Sequence, residues 1–182
     1  VSQRLFVALR PPAELRSALR SVAGGIEGAR WQTDAQLHLT LAFIGDVDRH
    51  DAEAAHQALA TVGGGPLDLR LGAPGSFDAG RPDRIASLWV GVEPAEVVGR
   101  LAASVRTALR RAGLSPDARR FVPHVTLARF AASGAPRAAL RGWLESVSIP
   151  PLAWRATGFH LVESRLGRGG ASYHPLADYV LA

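Results

Sequence analysis

The chain has no cysteine and no lysine. Without thiols, disulfides, thiolate metal sites and cysteine nucleophiles are all excluded, and any chemistry must come from His, Ser, Thr, Tyr, Arg or carboxylates. Long apolar runs are missing too: none approaches the roughly 18 residues that would span a bilayer, and the first residues carry no charged segment followed by an apolar stretch. A cytoplasmic location with no membrane partner is therefore expected. Charged residues are modest at 20% against 47% hydrophobic, the balance of a chain that folds and far from that of a disordered one. With 182 residues there is material for one well-filled core or two small lobes, but not for two ordinary domains.

The missing lysine gives the basic residues a single chemistry. All 21 are arginine, and the formal net charge is +5. Biased coding accounts for part of that composition. A guanidinium nevertheless binds phosphate through two parallel hydrogen bonds in one plane, which an ammonium cannot do, so the excess favours a polyanionic partner.

Apolar spacing divides the chain into alternating strands and helices. Leu5-Phe6-Val7-Ala8-Leu9 is a run of strand length that ends at Pro11-Pro12, and Leu15, Leu19 and Val22 then recur at helical spacing until Gly24-Gly25. From Leu37 to Phe43 the pattern alternates, with Leu37, Leu39, Leu41 and Phe43 on one predicted face and His38, Thr40 and Ala42 on the other. Asp48 or a neighbour is placed to cap a second helix with Ala55, Leu59 and Val62 as its stripe, and Leu67, Leu69 and Leu71 alternate after it.

A second round follows. It predicts a strand over Ile85 to Val92, then a helix with Val97, Leu101, Val105 and Leu109 on one face and Gly113 at its end. A strand from Val122 to Phe130 leads to a helix opened by Pro136, with Leu140, Leu144 and Val147 inside. Strands around Ala153 to Glu163 and Tyr173 to Leu181 close the chain. Gly72 to Arg84, rich in Gly, Pro and Asp, is the expected linker, and Ser164 to Ser172 is expected to be a mobile loop bordering the site. Each half thus reads strand, helix, strand, helix, strand, the sign of an internal duplication. Two copies are too few for a solenoid. The expected fold class is α+β, with two pseudo-symmetric lobes, each an antiparallel sheet with helices on its outer side, facing each other across a central cleft.

His38-Leu39-Thr40-Leu41 and His124-Val125-Thr126-Leu127 occupy the same place in the two halves, and no other His-x-Thr occurs. Residues two apart on a strand share a face, so each motif presents an imidazole beside a hydroxyl while its leucine enters the core. One such tetrapeptide would mean little. Two copies related by a pseudo-twofold axis would face each other across the groove, an arrangement suited to in-line displacement at phosphorus, which needs one base and one acid. Histidine serves as either near neutral pH, and hydroxyls and an arginine can hold the non-bridging oxygens. No third protein ligand with metal spacing accompanies the histidines, so neither a metal nor a cofactor is expected.

With the opening Arg4-Leu5-Phe6-Val7-Ala8 and the closing Tyr173-His174-Pro175-Leu176, these paired motifs resemble those of the bacterial RNA 2′,3′-cyclic phosphodiesterases of the 2H phosphoesterase superfamily, also called 2′-5′ RNA ligase-like proteins. The resemblance spans essentially the whole chain and implies a single bilobal domain over residues 1–182. It implies metal-independent hydrolysis of a terminal 2′,3′-cyclic phosphate to a 2′-phosphate. His38 then matches the proton donor to the departing 3′ oxygen and His124 the base that activates water, with Thr40 and Thr126 holding the phosphate. Arg129 falls where such proteins often carry an arginine. It lies five residues past His124, however, and in a regular strand would project to the opposite face unless the strand ends, twists or bulges.

Phe6 is a candidate for stacking on a base, and Arg119 and Arg120 for steering an RNA backbone. His50, His56, His160 and His174 have no matching partners and read as structural or surface residues. The expected partners are RNA with 2′,3′-cyclic phosphate ends or cyclic nucleotides, bound by a monomer. Reversible 2′-5′ joining of RNA ends, which runs the same groups backwards, and a non-catalytic module that binds RNA ends stay open beside hydrolysis.

Overall fold

Among residues 2–182, which the computed structural model describes, the chain forms ten strands, four α-helices and one short 3₁₀ turn. In chain order these are β1 (Gln3–Leu9), α1 (Ala13–Ser21), β2 (Arg30–Trp31), the 3₁₀ turn (Asp34–Gln36), β3 (Leu39–Val47), α2 (Arg49–Leu59), β4 (Leu67–Asp78) and β5 (Arg84–Glu93). They continue with α3 (Ala95–Arg111), β6 (His124–Arg129), β7 (Ala135–Pro136), α4 (Arg137–Ser146), β8 (Ala153–Ala156), β9 (Gly158–Gly167) and β10 (Gly170–Val180). Prolines 12, 94 and 136 stand at the N-caps of α1, α3 and α4, where a missing N–H costs nothing. Asp48 caps α2 by accepting from the Asp51 amide at 2.9 Å. No helix among the described residues is long and apolar enough to cross a membrane.

The fold is α+β, built on two antiparallel sheets. One has the order β10-β9-β1-β3; the other runs β2-β6-β5-β4-β8, with β7 paired to β5 off that path. In each, the strand of the His-x-Thr motif (β3 or β6) lies beside the strand that opens its half of the sequence (β1 or β5), and a further long strand (β9 or β4) completes the set. Helices α2 and α3 lie side by side against the sheets. Leu15 and Leu19 of α1, Ala55 and Leu59 of α2, and Val98, Leu101, Val105 and Leu109 of α3 fill a core continuous with Leu39, Leu41, Val125 and Leu127. A second cluster, with Leu88, Ala128, Phe130 and Leu140, lies under α4. On α3 the buried stripe starts at Val98, and Val97 is only half-buried.

The duplication is real at the level of strand order, but the lobes are not the two halves of the sequence. β4 belongs to the first half and pairs with β5; β9 follows β8 after Thr157 and pairs with β1 in the other sheet. The expected strand over Ala153 to Glu163 is therefore two strands in different sheets. The expected linker is corrected as well: Gly72–Asp78 is the second part of β4, and the turn spans only residues 79–83, with the Ala79 amide donating to the Arg84 carbonyl at 2.8 Å. Neighbouring strands joined by so short a turn pair with each other, which decides the sheet to which β4 goes. The same reasoning replaces the expected loop at Ser164–Ser172 with a hairpin, because Ser164 pairs with Tyr173 and Arg165 with Ser172.

Because each half lends two strands to the other's sheet (β2 and β4, β9 and β10), residues 1–80 and 81–182 should not fold when produced separately. Mixing the two fragments should restore native circular dichroism and a cooperative melt. Cooperative unfolding of either fragment alone would contradict the exchange.

Candidate active site

Both histidines are held by the same device. The 3₁₀ turn leaves the Gln36 carbonyl without a helical partner, and His38 Nδ1–H donates to it at 2.7 Å. His124 Nδ1–H donates to the Val122 carbonyl at 2.6 Å, again two residues upstream. A carbonyl can only accept, so each bond places the proton on Nδ1 and leaves Nε2 as the lone-pair nitrogen of the neutral ring. His38 Nε2 lies 3.0 Å from Thr40 Oγ1, whose hydroxyl can donate to it. The Gln36 side chain ties this segment down, accepting from the Thr33 amide at 3.0 Å and donating to the Ala171 carbonyl at 2.8 Å.

Aromatic rings then fix each imidazole plane. His38 lies 4.8 Å from Phe6 and meets Tyr173 edge-on at 4.9 Å; His124 meets Phe77 edge-on at 4.8 Å and lies 5.7 Å from Trp89. Gly75 makes room for this packing, since a Cβ there would stand 2.3 Å from the Trp89 ring. Phe6 is 2% exposed and covered by His38, Phe43 and Tyr173, so its ring supports the imidazole from below and has no free face for the base stacking expected of it.

A bulge decides what lies beyond each motif. Ala8 pairs with Thr40 and Val7 with Ala42, which leaves Leu41 as an extra residue; Trp89 pairs with Thr126 and Leu88 with Ala128, which leaves Leu127. One inserted residue reverses the alternation. Arg129, five residues past His124, is thereby turned to the imidazole side and lines the cleft. Phe43, five residues past His38, is turned the same way. The face expected for Phe43 is therefore wrong: it is 45% exposed at the cleft and does not lie in the core with Leu37, Leu39 and Leu41.

His38, Thr40, His124, Thr126 and Arg129 line one cavity of about 530 Å³ between the lobes. Arg106, Arg119, Arg120 and Phe121 border it as well. Its two carboxylates are already engaged, Asp78 by Arg137 and Asp117 by Arg119 at 2.7 Å. Arg129 makes no ion pair among the described residues, which leaves its guanidinium available to an anion. Burial holds His38 down to about 4, aided by the positive charge of Arg129, His124 and Arg10 and opposed by the bond to Gln36. Burial also lowers His124, with the Val122 bond opposing it and Arg129 adding to it. In the open cleft at neutral pH both rings are therefore uncharged and present Nε2 as a base.

The remaining expectations sort simply. His56 Nδ1 meets the Tyr179 hydroxyl at 2.8 Å, His160 pairs with Asp178 at 2.6 Å and His174 with Ser172 at 3.1 Å, all away from the cavity. His50 is exposed on α2. Sequence reasoning missed the two anchoring carbonyls, Phe77 and Trp89, which carry no local signal. It also missed Phe43, for which a signal existed: overlaying His38-Leu-Thr-Leu-Ala-Phe43 on His124-Val-Thr-Leu-Ala-Arg129 puts Phe43 in the place of Arg129.

Comparison with known proteins finds relatives over nearly the whole chain. The sequence profile of the 2′-5′ RNA ligase superfamily matches residues 11–168. The RNA 2′,3′-cyclic phosphodiesterase of Escherichia coli is 32% identical over 98% of this chain and 97% of its own length. That of Thermotoga maritima is 29% identical over 96% and 94%. The crystal structure of E. coli LigT complexed with 3′-AMP superimposes with a TM-score of 0.79 at 29% identity, covering 100% of this chain and 99% of that one.

The burial that keeps His38 neutral links folding to pH. Its folded value of about 4 lies below its ordinary 6.5, so within that window the unfolded chain binds a proton that the folded chain does not, and stability falls as pH drops. His38→Gln should therefore lose less of its urea midpoint than the parent between pH 6.5 and pH 4. NMR titration of the parent should find both imidazoles below 6.5.

Proposed function

Since this chain belongs to the 2′-5′ RNA ligase superfamily, we propose that it hydrolyses RNA 2′,3′-cyclic phosphate ends to 2′-phosphate ends, residues 2–182 acting as one bilobal domain. The observation that carries this reading is the pair of imidazoles, each locked with Nε2 available, lining one cavity with an unpaired arginine. Water attacks phosphorus from the His124 side, and His124 Nε2 takes its proton. The bond from phosphorus to the 3′ oxygen breaks on the opposite side, and protonated His38 gives its Nε2 proton to the leaving oxygen. Thr40 and Thr126 donate hydrogen bonds to the non-bridging oxygens, and Arg129 balances the charge that grows there. The two imidazoles supply both proton transfers, so no metal is assigned a role.

The acid and base directions follow the family resemblance. Electrostatics explains how His38 acquires its proton: a bound phosphate diester brings a negative charge next to a ring that burial and the cations Arg129 and Arg10 keep neutral, and the charged form is thereby favoured. Phe6 is assigned the role of holding His38 in plane, and Phe43 offers the exposed aromatic surface to the base.

With an RNA ending in a 2′,3′-cyclic phosphate and a chelator present, the product should carry a 2′-phosphate and a free 3′-hydroxyl. His38→Ala and His124→Ala should each reduce kcat by roughly 10²–10⁴ while keeping the parent's circular dichroism. A product joined through a 2′-5′ bond, or turnover that stops with chelator, would replace this reading. The pH profile offers a separate check. The limbs of kcat, which report the complex, should lie at higher pH than those of kcat/KM, which report the free protein, because bound phosphate raises both imidazoles.

A further inference from the structure

The cleft continues beyond the imidazoles. A second cavity of about 550 Å³ shares His38, Phe43, Asp117, Arg119 and Arg129 with the first and extends over the sheet of β1 and β3 toward the β9–β10 hairpin. Tyr173, which packs against His38, lines it too, and Arg4, Ser164 and Leu166 lie further out. We propose that this arm receives the terminal nucleoside and that Arg4 binds the 5′ phosphodiester joining it to the rest of the strand, so that Arg4 sets how much better the end of an RNA chain is used than a free cyclic mononucleotide.

The inference rests on the proposed direction of proton transfer. In an in-line displacement the leaving 3′ oxygen is part of the terminal ribose. The ribose, its base and everything upstream therefore lie on the side of the acid, which is the side of His38, and water approaches from the side of His124. The arm past His38 is the one that must hold the strand.

Its surface suits that occupant. Single-stranded RNA is bound by aromatic or apolar faces for the bases and by cations for the backbone. Phe43 is 45% exposed here, and Leu166 is 75% exposed, a large apolar side chain left open on the hairpin beside Tyr173. Arg4 makes no ion pair among the described residues; its cross-strand neighbour Asp46 does not bond to it. The carboxylate that does line the arm, Asp117, is occupied by Arg119. Arg168 stands exposed at the hairpin tip, further along the same direction.

Spacing agrees as well. Phe6 lies against His38, and Arg4 is two residues further along β1, a step of about 7 Å on a strand and on the scale of one nucleotide of an extended chain. A cyclic mononucleotide has no 5′ phosphodiester and cannot use this contact.

The test compares a nucleoside 2′,3′-cyclic phosphate with a dinucleotide carrying the same cyclic end. The parent should prefer the dinucleotide in kcat/KM by about tenfold or more, the scale of one charge-assisted phosphate contact. Arg4→Ala should bring that ratio toward one, and added salt should lower the parent's ratio more steeply than that of the variant. The mononucleotide rate reports that the variant is folded. Turnover of both substrates with a ratio indifferent to Arg4→Ala would overturn the inference and leave the functional reading intact. Collapse of the ratio in Arg120→Ala instead would place the strand on the His124 side and also overturn it. Absence of turnover with either substrate would remove the functional reading itself.

Discussion

The hydrogen bond from each imidazole Nδ1 to a carbonyl two residues upstream is the interaction on which the rest depends. It fixes the ring and the tautomer together, so that Nε2 is the nitrogen given to the cleft. A main-chain acceptor has an advantage over a carboxylate in this position. A carboxylate would pull the imidazole toward its charged form, whereas the carbonyl only partly offsets the burial that keeps both rings neutral before an anion arrives.

The bulge at the fourth residue of each motif is the second element of the design. In the first copy it brings an aromatic ring to the cleft, and in the second a guanidinium. The same backbone irregularity, duplicated, brings two unlike side chains to one cleft. Pseudo-symmetry of the backbone therefore does not carry over to the chemistry of the two sides of the cleft.

Much of this was legible beforehand. The helices announced themselves through prolines, the Asp48 cap and apolar stripes, and the paired motifs located both imidazoles and hydroxyls, because side-chain periodicity is a local property. The rest depended on pairing partners that lie far off in sequence. Strict alternation sent Phe43 to the core and Arg129 away from the imidazoles, since a bulge exists only relative to the strand opposite. Composition suggested a linker at Gly72–Arg84, yet Gly75 is there because Trp89 needs its space, and the segment is strand. Phe6 was rightly placed in an apolar strand, but whether its ring met solvent was decided by Tyr173, more than 160 residues away.

The exchange of β4 and β9 between the two sheets bears on how the cleft can behave. Lobes joined by one flexible tether can swing apart and shut over a ligand. Here the covalent chain crosses from one sheet to the other repeatedly, and the core runs without interruption beneath both. Opening like jaws would tear ladder hydrogen bonds and part packed leucines at once. The spacing of the two imidazoles is accordingly built in when the protein folds, and the cleft meets a ligand as a preformed mould.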